Sequence, residues 1–454
     1  MKSTSSNTVI TMPQIGARNH VLSMKRTNKQ TLSIHGQSNH SLLIRIIICL
    51  CLFVYFQTAF SQNKLTYYLN QARGNSPLLK DFQYQILTNA IDSQRIRASY
   101  LPQVNANIAG TYAPITNGWG YDDALSNSHT FNALFTVSQT VVGRKNLNNQ
   151  FLSLQIQNRS LQNQAKISEQ DLSRTIAEQY INAYGDLLQI KFNEQMLELL
   201  KDEETIIKTL AEKGVYKQTD FLSFLVTIQQ QELLLTQLKN QYQADFGNLN
   251  YSSGIADTTM AELLPPDLDS TLIPSFNETV FYNQYAIDSL RIAAEDAKIN
   301  YLYKPTASIY GDAGYSSSFI KTPYKNFGYS VGANINIPIY DGRQRELQHA
   351  KNVIAQQNRI AYKNFSVSQY RQQTAQLQKQ LVLAGQLIKQ TTDQIKYTEG
   401  LISAQRQQLI TGDVLITDYI NAIGNYLNAK NIITQNTINR WLIINQINYW
   451  NRKL

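Results

Sequence analysis

Cysteine is almost absent from this chain, and the little there is lies in one place. Cys49 and Cys51 sit inside a compact apolar run, residues 46–56, with Arg45 before it and Ala59-Phe60-Ser61 after it. Small residues at 59 and 61 are what a signal peptidase reads, and the run is about half as long as a membrane-spanning helix needs. Residues 1–61 are therefore expected to be a secretory signal with a long N-terminal extension, cleaved after Ser61, with Met24 as an alternative start. The mature chain would then carry no thiol, which excludes disulfides, thiolate metal sites and cysteine nucleophiles. Neither cysteine follows a small residue, which argues against lipoprotein processing.

Charge is scarce as well. Charged residues make up 16% of the chain and the mean hydropathy is -0.32, which fits neither a polytopic helical membrane protein nor a highly charged disordered chain. The net charge of +9 misleads, because residues 1–61 hold six Lys or Arg and no acid; without them it is +3. The basicity belongs to targeting and gives no support for nucleic-acid binding, which needs a clustered basic face. After the signal only His129 and His349 remain, far apart in sequence and read as ordinary surface positions. No Gly-rich phosphate loop, metalloprotease motif or nucleophile elbow occurs. The sequence thus predicts no enzyme, no metal and no cofactor. Asn, Gln, Ser and Thr supply much of the polarity, a mixture suited to a wall facing water inside a pore.

What remains is one pattern written twice. A helix is expected over about 65–100, stopped by Leu101-Pro102, since the residue before a proline disfavours helix. Two alternating segments follow. Val104, Ala106, Ile108 and Tyr112 alternate with polar or small residues, then Phe131, Ala133, Phe135 and Val137 do the same, the period of a strand. A very long helix is expected over about 144–213, with Leu147, Phe151, Leu154, Leu161, Ala165, Leu172, Ile176, Tyr180, Ala183 and Leu187 as a narrow coiled-coil stripe. Another covers about 219–246. The first repeat is 62–250 and the linker 251–275, marked by Pro265, Pro266 and Pro274. The second repeat, 276–454, returns helix, strand (Ala307 to Tyr315), strand (Phe327 to Ile337), a long helix over about 343–410 and a last one over about 417–450. Each long helix, at about 1.5 Å per residue, would reach on the order of 100 Å. Two half-length helices end to end would match it.

The alternation suits a membrane wall with lipid on one face and water on the other, and Trp119, Tyr121, Tyr324 and Phe327 mark loop ends where aromatic belts form. A soluble sandwich strand alternates too. Four strands cannot close a barrel, and an open sheet edge cannot lie in lipid, so several chains must share one barrel. Strand count alone does not give the number of chains.

Particular strings resemble the TolC family of outer-membrane efflux proteins. The junction Ile337-Pro338-Ile339-Tyr340-Asp341-Gly342-Arg343 is similar to that family's P-L-F-D-G-G-R signature, and Gln139-Thr140-Val141-Val142-Gly143-Arg144 looks like its decayed first copy. Tyr100-Leu101-Pro102 matches the family's Y-L-P lead into a strand, repeated as Tyr303-Lys304-Pro305. At the helix-turn-helix tips, Gly214 lies six residues before Asp220 and Gly412 six before Asp418. The correspondence covers nearly all of 62–454. It implies a mainly α protein with a β-barrel part: a long coiled-coil α-barrel plus four transmembrane strands per chain, giving a twelve-stranded barrel in a homotrimer. It further implies an outer-membrane location, helices forming a periplasmic tunnel, and tips that dock a periplasmic adaptor joined to an inner-membrane transporter.

In the family, acids at the tips ring the narrowest point of the channel. Asp418 falls on the first such position, and Asn421 stands where a second acid is typical, so any cation preference should be weaker. Thr219 and Asp220 occupy the matching place in the first repeat. Gly214, Gly412 and Asp413 form the docking tips by the same resemblance, and Pro338, Asp341, Gly342 and Gly143 the strand-helix junctions. Helix N-terminal capping is an equally open reading of Asp220 and Asp418, and Asp413 also reads as a solvated turn residue. The leading functional expectation is a passive exit duct for small compounds. A duct for an exported polypeptide or metal ion, and a secreted coiled-coil scaffold or adhesin, are the alternatives.

Overall fold

The computed structural model describes residues 63–114, 116–120, 129–141, 144–269, 273–318 and 323–451. The expected signal segment, Tyr121 and Gly143 lie outside the described residues. The element order is α1 (Leu65–Asn75), α2 (Pro77–Ser99), β1 (Gln103–Tyr112), β2 (His129–Val141), α3 (Arg144–Glu212), α4 (Gln218–Ser253), α5 (Val280–Leu302), β3 (Thr306–Ser317), β4 (Phe327–Asn336), α6 (Gln344–Thr411) and α7 (Ile416–Trp450).

The two long helices are as expected: α3 has 69 residues and α6 has 68, about 100 Å each at the α-helical rise. One expectation fails. The helix over about 65–100 is two helices, broken at Ser76. Proline has no N–H for the preceding turn and is favoured at a first helical position, so Pro77 starts α2 and does not continue α1. Ser76 caps the new helix, its Oγ accepting from Leu79 N at 3.4 Å. The break has a tertiary purpose. Asn75 Nδ2 donates to the Ser253 and Gly254 carbonyls at 3.2 and 3.0 Å, closing the C-terminus of α4. Gly254 ends α4 with φ +68, and a Cβ there would lie 2.7 Å from that of Asn75, so only glycine fits the approach.

Helix α3 packs against α4 and α7 and also against α1, α2 and α5, while α6 packs against α5 and α7. Three apolar clusters result. The first joins Leu65, Tyr68, Ile176, Tyr180, Phe246, Leu249 and Leu263, bringing the start of the described chain, α3, α4 and the linker together. Tyr180 is fully buried there, its hydroxyl 2.7 Å from the carbonyls of Asn63 and Leu264. The second lies at the α3–α4 and α6–α7 turns. The third joins α6 to the end of α7 through Leu377, Ala384, Ile443 and Ile447. Between helices, amides pair where apolar residues would be usual: Asn89 with Asn158, Asn283 with Asn163, and Gln231 with Asn193, at 2.6 to 2.8 Å. Buried amides cost energy unless satisfied, so such pairs fix register between long helices that could otherwise slide.

The four strands form one antiparallel meander in the order β1-β2-β3-β4, so β1 and β4 are edges within the chain. The strand ends that the two hairpins join, at Tyr112, His129, Ser317 and Phe327, lie at the end of the sheet away from the helices. Strand lengths of 10 to 13 residues match the roughly 9–11 needed to cross a membrane at a tilt.

Candidate functional site

The strand register sorts the sheet into two chemically distinct faces. Val104, Ala106 and Ile108 pair with Val137, Phe135 and Ala133. Those residues continue across β3 to Gly311, Ala313 and Tyr315, and on to Val331, Tyr329 and Phe327 in β4. This face is apolar from edge to edge, and it is uncovered: Tyr329 is 87% exposed and Val331 84%. Near the loops it is bordered by aromatic rings. Tyr112 meets His129 at 4.9 Å and Tyr315 meets Phe327 edge-on at 5.2 Å, with exposed Trp119 and Tyr324 beyond. His129 is thus half-buried against a ring and not an isolated surface position.

The opposite face is built from Asn105, Asn107, Asn132, Thr136, Ser138, Ser308, Asp312, Ser330, Asn334 and others of that kind. Its side chains bond to one another across strands, as Ser316 Oγ does to Asn132 Oδ1 at 2.7 Å. Tyr310 covers Gly332, where a Cβ would come within 2.5 Å of the ring. The sheet thus has one apolar and one polar face, neither covered by other described residues, the make-up expected of a wall with lipid on one side and water on the other.

At the far end of the helices, the two turns are built alike. Gly214 and Gly412 take φ of +76 and +81, and Val215 N and Asp413 N reach back to the Leu210 and Gln408 carbonyls at 3.0 and 2.9 Å. This is the glycine-terminated C-cap, and L side chains resist its backbone. The turns touch: Tyr216 Oη lies 2.9 and 3.0 Å from the Leu409 and Val414 carbonyls. Asp413 accepts from Thr411 Oγ1 at 2.6 Å and is exposed.

Asp220 and Asp418 each stand third in their helix. The residues before these helices, Lys217 and Leu415, make no side-chain cap, so the acids meet the helix dipole by charge. Asp418, Asn421, Asn425 and Asn428 form one exposed stripe of α7, opposite the buried Tyr419, Ala422, Ile423 and Ala429. Asp418 and Asn421 are therefore side by side on an open face. Thr219 is exposed and Asp220 half-buried, with their side-chain oxygens 3.5 Å apart.

The strand-helix junction is held by Asp341. Its two carboxylate oxygens accept from Arg343 N and Arg345 N at 2.9 and 2.8 Å, while Gly342 and Arg343 both take positive φ. Arg343 then pairs with Glu346 through two bonds of 2.9 Å. Pro338 is exposed, and Ile339 beside it is 95% exposed. His349 is not a free surface residue either, since its Nδ1 lies 2.6 Å from Asp296, linking α6 to α5.

Two features were not singled out from the sequence. Glu203, in the charged run 202–204, is fully buried, with Arg406 Nε 2.5 Å from its carboxylate. Burial raises its pKa, and Arg406 and Tyr419 pull the other way. Burial raises Tyr419 too. The signal was present, because Met196, Leu200, Glu203 and Ile207 follow coiled-coil spacing. The other feature is Asp312, whose strand parity already assigned it to the polar face.

Among the described residues there is no group of acids, His or Cys fit for a metal, and no helix is long and apolar enough to cross a membrane. Together the wet-and-dry sheet, the paired long helices and the glycine tips define the fold, and that fold is what the known structures can be compared with. No family model and no curated protein matches the sequence. Solved structures do. The outer-membrane protein VceC of Vibrio cholerae superposes with a TM-score of 0.71 at 12% identity, covering 86% of this chain and 96% of that one. A membrane protein from Pseudomonas aeruginosa gives 0.69 at 14% identity, over 85% of this chain and 89% of the other. The MtrE outer-membrane channel of Neisseria gonorrhoeae, in its open state, gives 0.67 at 11%, over 86% and 88%. At such identities the likeness concerns the fold, and that is the fold the sequence resemblance implied.

Proposed function

We propose that the chain is one protomer of an outer-membrane exit duct, a channel that carries out no chemistry of its own. The observation that carries this reading is the sheet. Its apolar face is continuous over four strands and uncovered, and both its edges are free. Unpaired backbone groups in lipid cost several kcal/mol each, so the edges must meet those of sister chains. Three chains give a twelve-stranded barrel, and α3 and α6 with their half-length partners continue it into the periplasm as a tunnel. The likeness to outer-membrane channels supports the same assembly. A secreted scaffold would have no use for such a sheet.

In this assembly the tips, with Gly214, Gly412 and Asp413, dock a periplasmic adaptor tied to an inner-membrane transporter, and small compounds leave through the lumen. Asp418 lines the constriction with Asn421 behind it, and Thr219 and Asp220 flank it. A ring of like charges at a narrowing favours cations. Pro338, Asp341, Gly342 and Gly143 turn the chain from barrel to tunnel.

The test is planar-bilayer recording with purified mature protein. Expected are stable channels from a trimer whose gel mobility changes on heating, with altered conductance and ion preference in Asp418→Asn. A monomer that stays soluble without detergent and forms no channel overturns the duct. Channels unchanged by Asp418→Asn remove that residue from the constriction.

A further inference from the structure

Asp312 is the one carboxylate in β1 to β4, and those strands contain no Lys or Arg at all. It stands seventh of the twelve residues of β3, near mid-strand, on the polar face. Its Cα partners are Thr136 on β2 and Ser330 on β4, and both hold it. Thr136 Oγ1 donates to Oδ1 at 2.6 Å, and Ser330 Oγ donates to Oδ2 at 3.2 Å. Each carboxylate oxygen thus has one hydroxyl donor from a neighbouring strand, and neither has a cation among the described residues.

The carboxylate is half-buried, and towards the loops its surroundings offer little to cover it. Along β3 the next residue on this face towards the loops is Gly314, and on β4 the flanking positions are Gly328 and Gly332. Gly314 cannot be anything else, because a Cβ there would sit 2.1 Å from the Ala133 carbonyl oxygen. An acid pinned by two strands, bordered by glycines towards the loops and facing away from the apolar side, has no partner among the described residues to neutralise it. The expense of placing a charge in a membrane wall is met only if it faces water and acts on what passes.

We propose that Asp312 is a selectivity residue of the barrel. In the assembled duct, three copies form a carboxylate ring that attracts cations and repels anions, in series with the Asp418 ring. This rests on the barrel reading above. Twelve strands about 4.8 Å apart, tilted by about 40°, enclose a backbone circle roughly 24 Å across. Screening therefore decides how far the ring acts. The Debye length is about 30 Å in 0.01 M salt, longer than the pore is wide, and about 3 Å in 1 M salt. The ring governs the whole lumen when salt is dilute and almost none of it when salt is concentrated.

The experiment is reversal-potential measurement across a KCl gradient, with trimers of wild type, Asp312→Asn and Asp312→Glu in planar bilayers. At about 0.01 M the Asn variant should lose at least about half of the K⁺ over Cl⁻ preference, the Glu variant should keep it, and all three should converge near 1 M. A role confined to tying strands together would alter trimer stability without this salt-dependent shift. If Asp312→Asn does not assemble, Ser330→Lys places a cation beside the carboxylate and should reduce the preference in the same way. Channels whose reversal potential at low salt is the same in wild type and in the variant that assembles overturn the inference and leave the duct standing. Wild-type protein that forms no channel overturns the duct itself, and the ring with it.

Discussion

The strands and the helices differ in what becomes of their apolar side chains. Every buried hydrophobic residue among those described lies in a helix, a short 3-10 turn, a helix-helix turn or the linker, and none in β1 to β4. The helices make their own cores, with Ile176, Tyr180, Leu200 and Ile207 fully buried inside a single chain. The sheet has no core at all. In the proposed duct its apolar face is covered by lipid and its edges by the strands of other chains. On that reading the helical part can be stabilised by folding alone, while the sheet is stabilised by assembly in a membrane.

The largest effect that separates the two is a charge on the dry face. Val331→Arg, at the middle of β4, should cost about 2–4 kcal/mol per chain in the bilayer, and in the proposed trimer three copies would share one barrel. We expect loss of the heat-modifiable trimer and of membrane recovery, with helical circular dichroism retained. Wild-type assembly in this variant would contradict a lipid-facing side for Val331. Leu200→Ala is the converse change. It opens a cavity in the tip core and should lower the stability of the helical part by about 2–5 kcal/mol in chemical unfolding, with the trimer band still formed. If both variants lost the same probe together, the distinction between the two regions would fail.

How much of this was legible in the sequence depends on how local the cause is. The alternation from Phe327 to Ile337 sets each side chain's face by parity, so the wet and dry faces could be read directly. Gly214 and Gly412 announced their turns because positive φ demands glycine. The stripe of Asp418 and Asn421 followed from i,i+3 spacing. The break at Ser76 was missed although Pro77 is a helix-start signal, because what fixes it is Asn75 meeting Gly254, which lies 179 residues away. Glu203 was hidden for a similar reason. A charged run reads as a solvated face until α6 and α7 are known to close over it. His349 looked solitary until Asp296 arrived from α5.

The tip core offers a subtler way to test its self-sufficiency. Arg406→Met removes the cation from a fully buried Glu203 and leaves the carboxylate unpaired. Breaking a fully buried pair costs about 3–5 kcal/mol; Arg406 is half-exposed, so about 1–3 is expected here. The loss should shrink as pH falls, since burial already raises the Glu203 pKa and loss of the arginine raises it further. Unfolding at pH 7 and pH 5 measures this. An equal loss at both would show that Glu203 is not the group left stranded.

The smallest expected effect lies at the interface of α3 and α4. Asp186 is pressed against Asp245, with its Oδ2 buried and without a donor, and burial followed by that second carboxyl pushes its pKa up to about 7. Gln241 donates to the Asp245 carboxylate at 3.0 Å, Tyr242 stands close by, and no ion pair reaches Asp186 among the described residues. The native state thus holds a proton here that the unfolded chain, with a carboxyl near its ordinary 3.8, releases. Between about pH 4 and pH 7 the native state binds more protons, so stability falls as pH rises through that window and then levels. Asp186→Asn imitates the protonated acid at every pH. It should match wild type near pH 4 and exceed it at pH 8 by about 1–2 kcal/mol, a figure reduced for the solvent that reaches the pair. Unfolding curves at the two pH values decide it, and a variant less stable than wild type at pH 8 would mean that the charged form of Asp186 is the one the helices prefer.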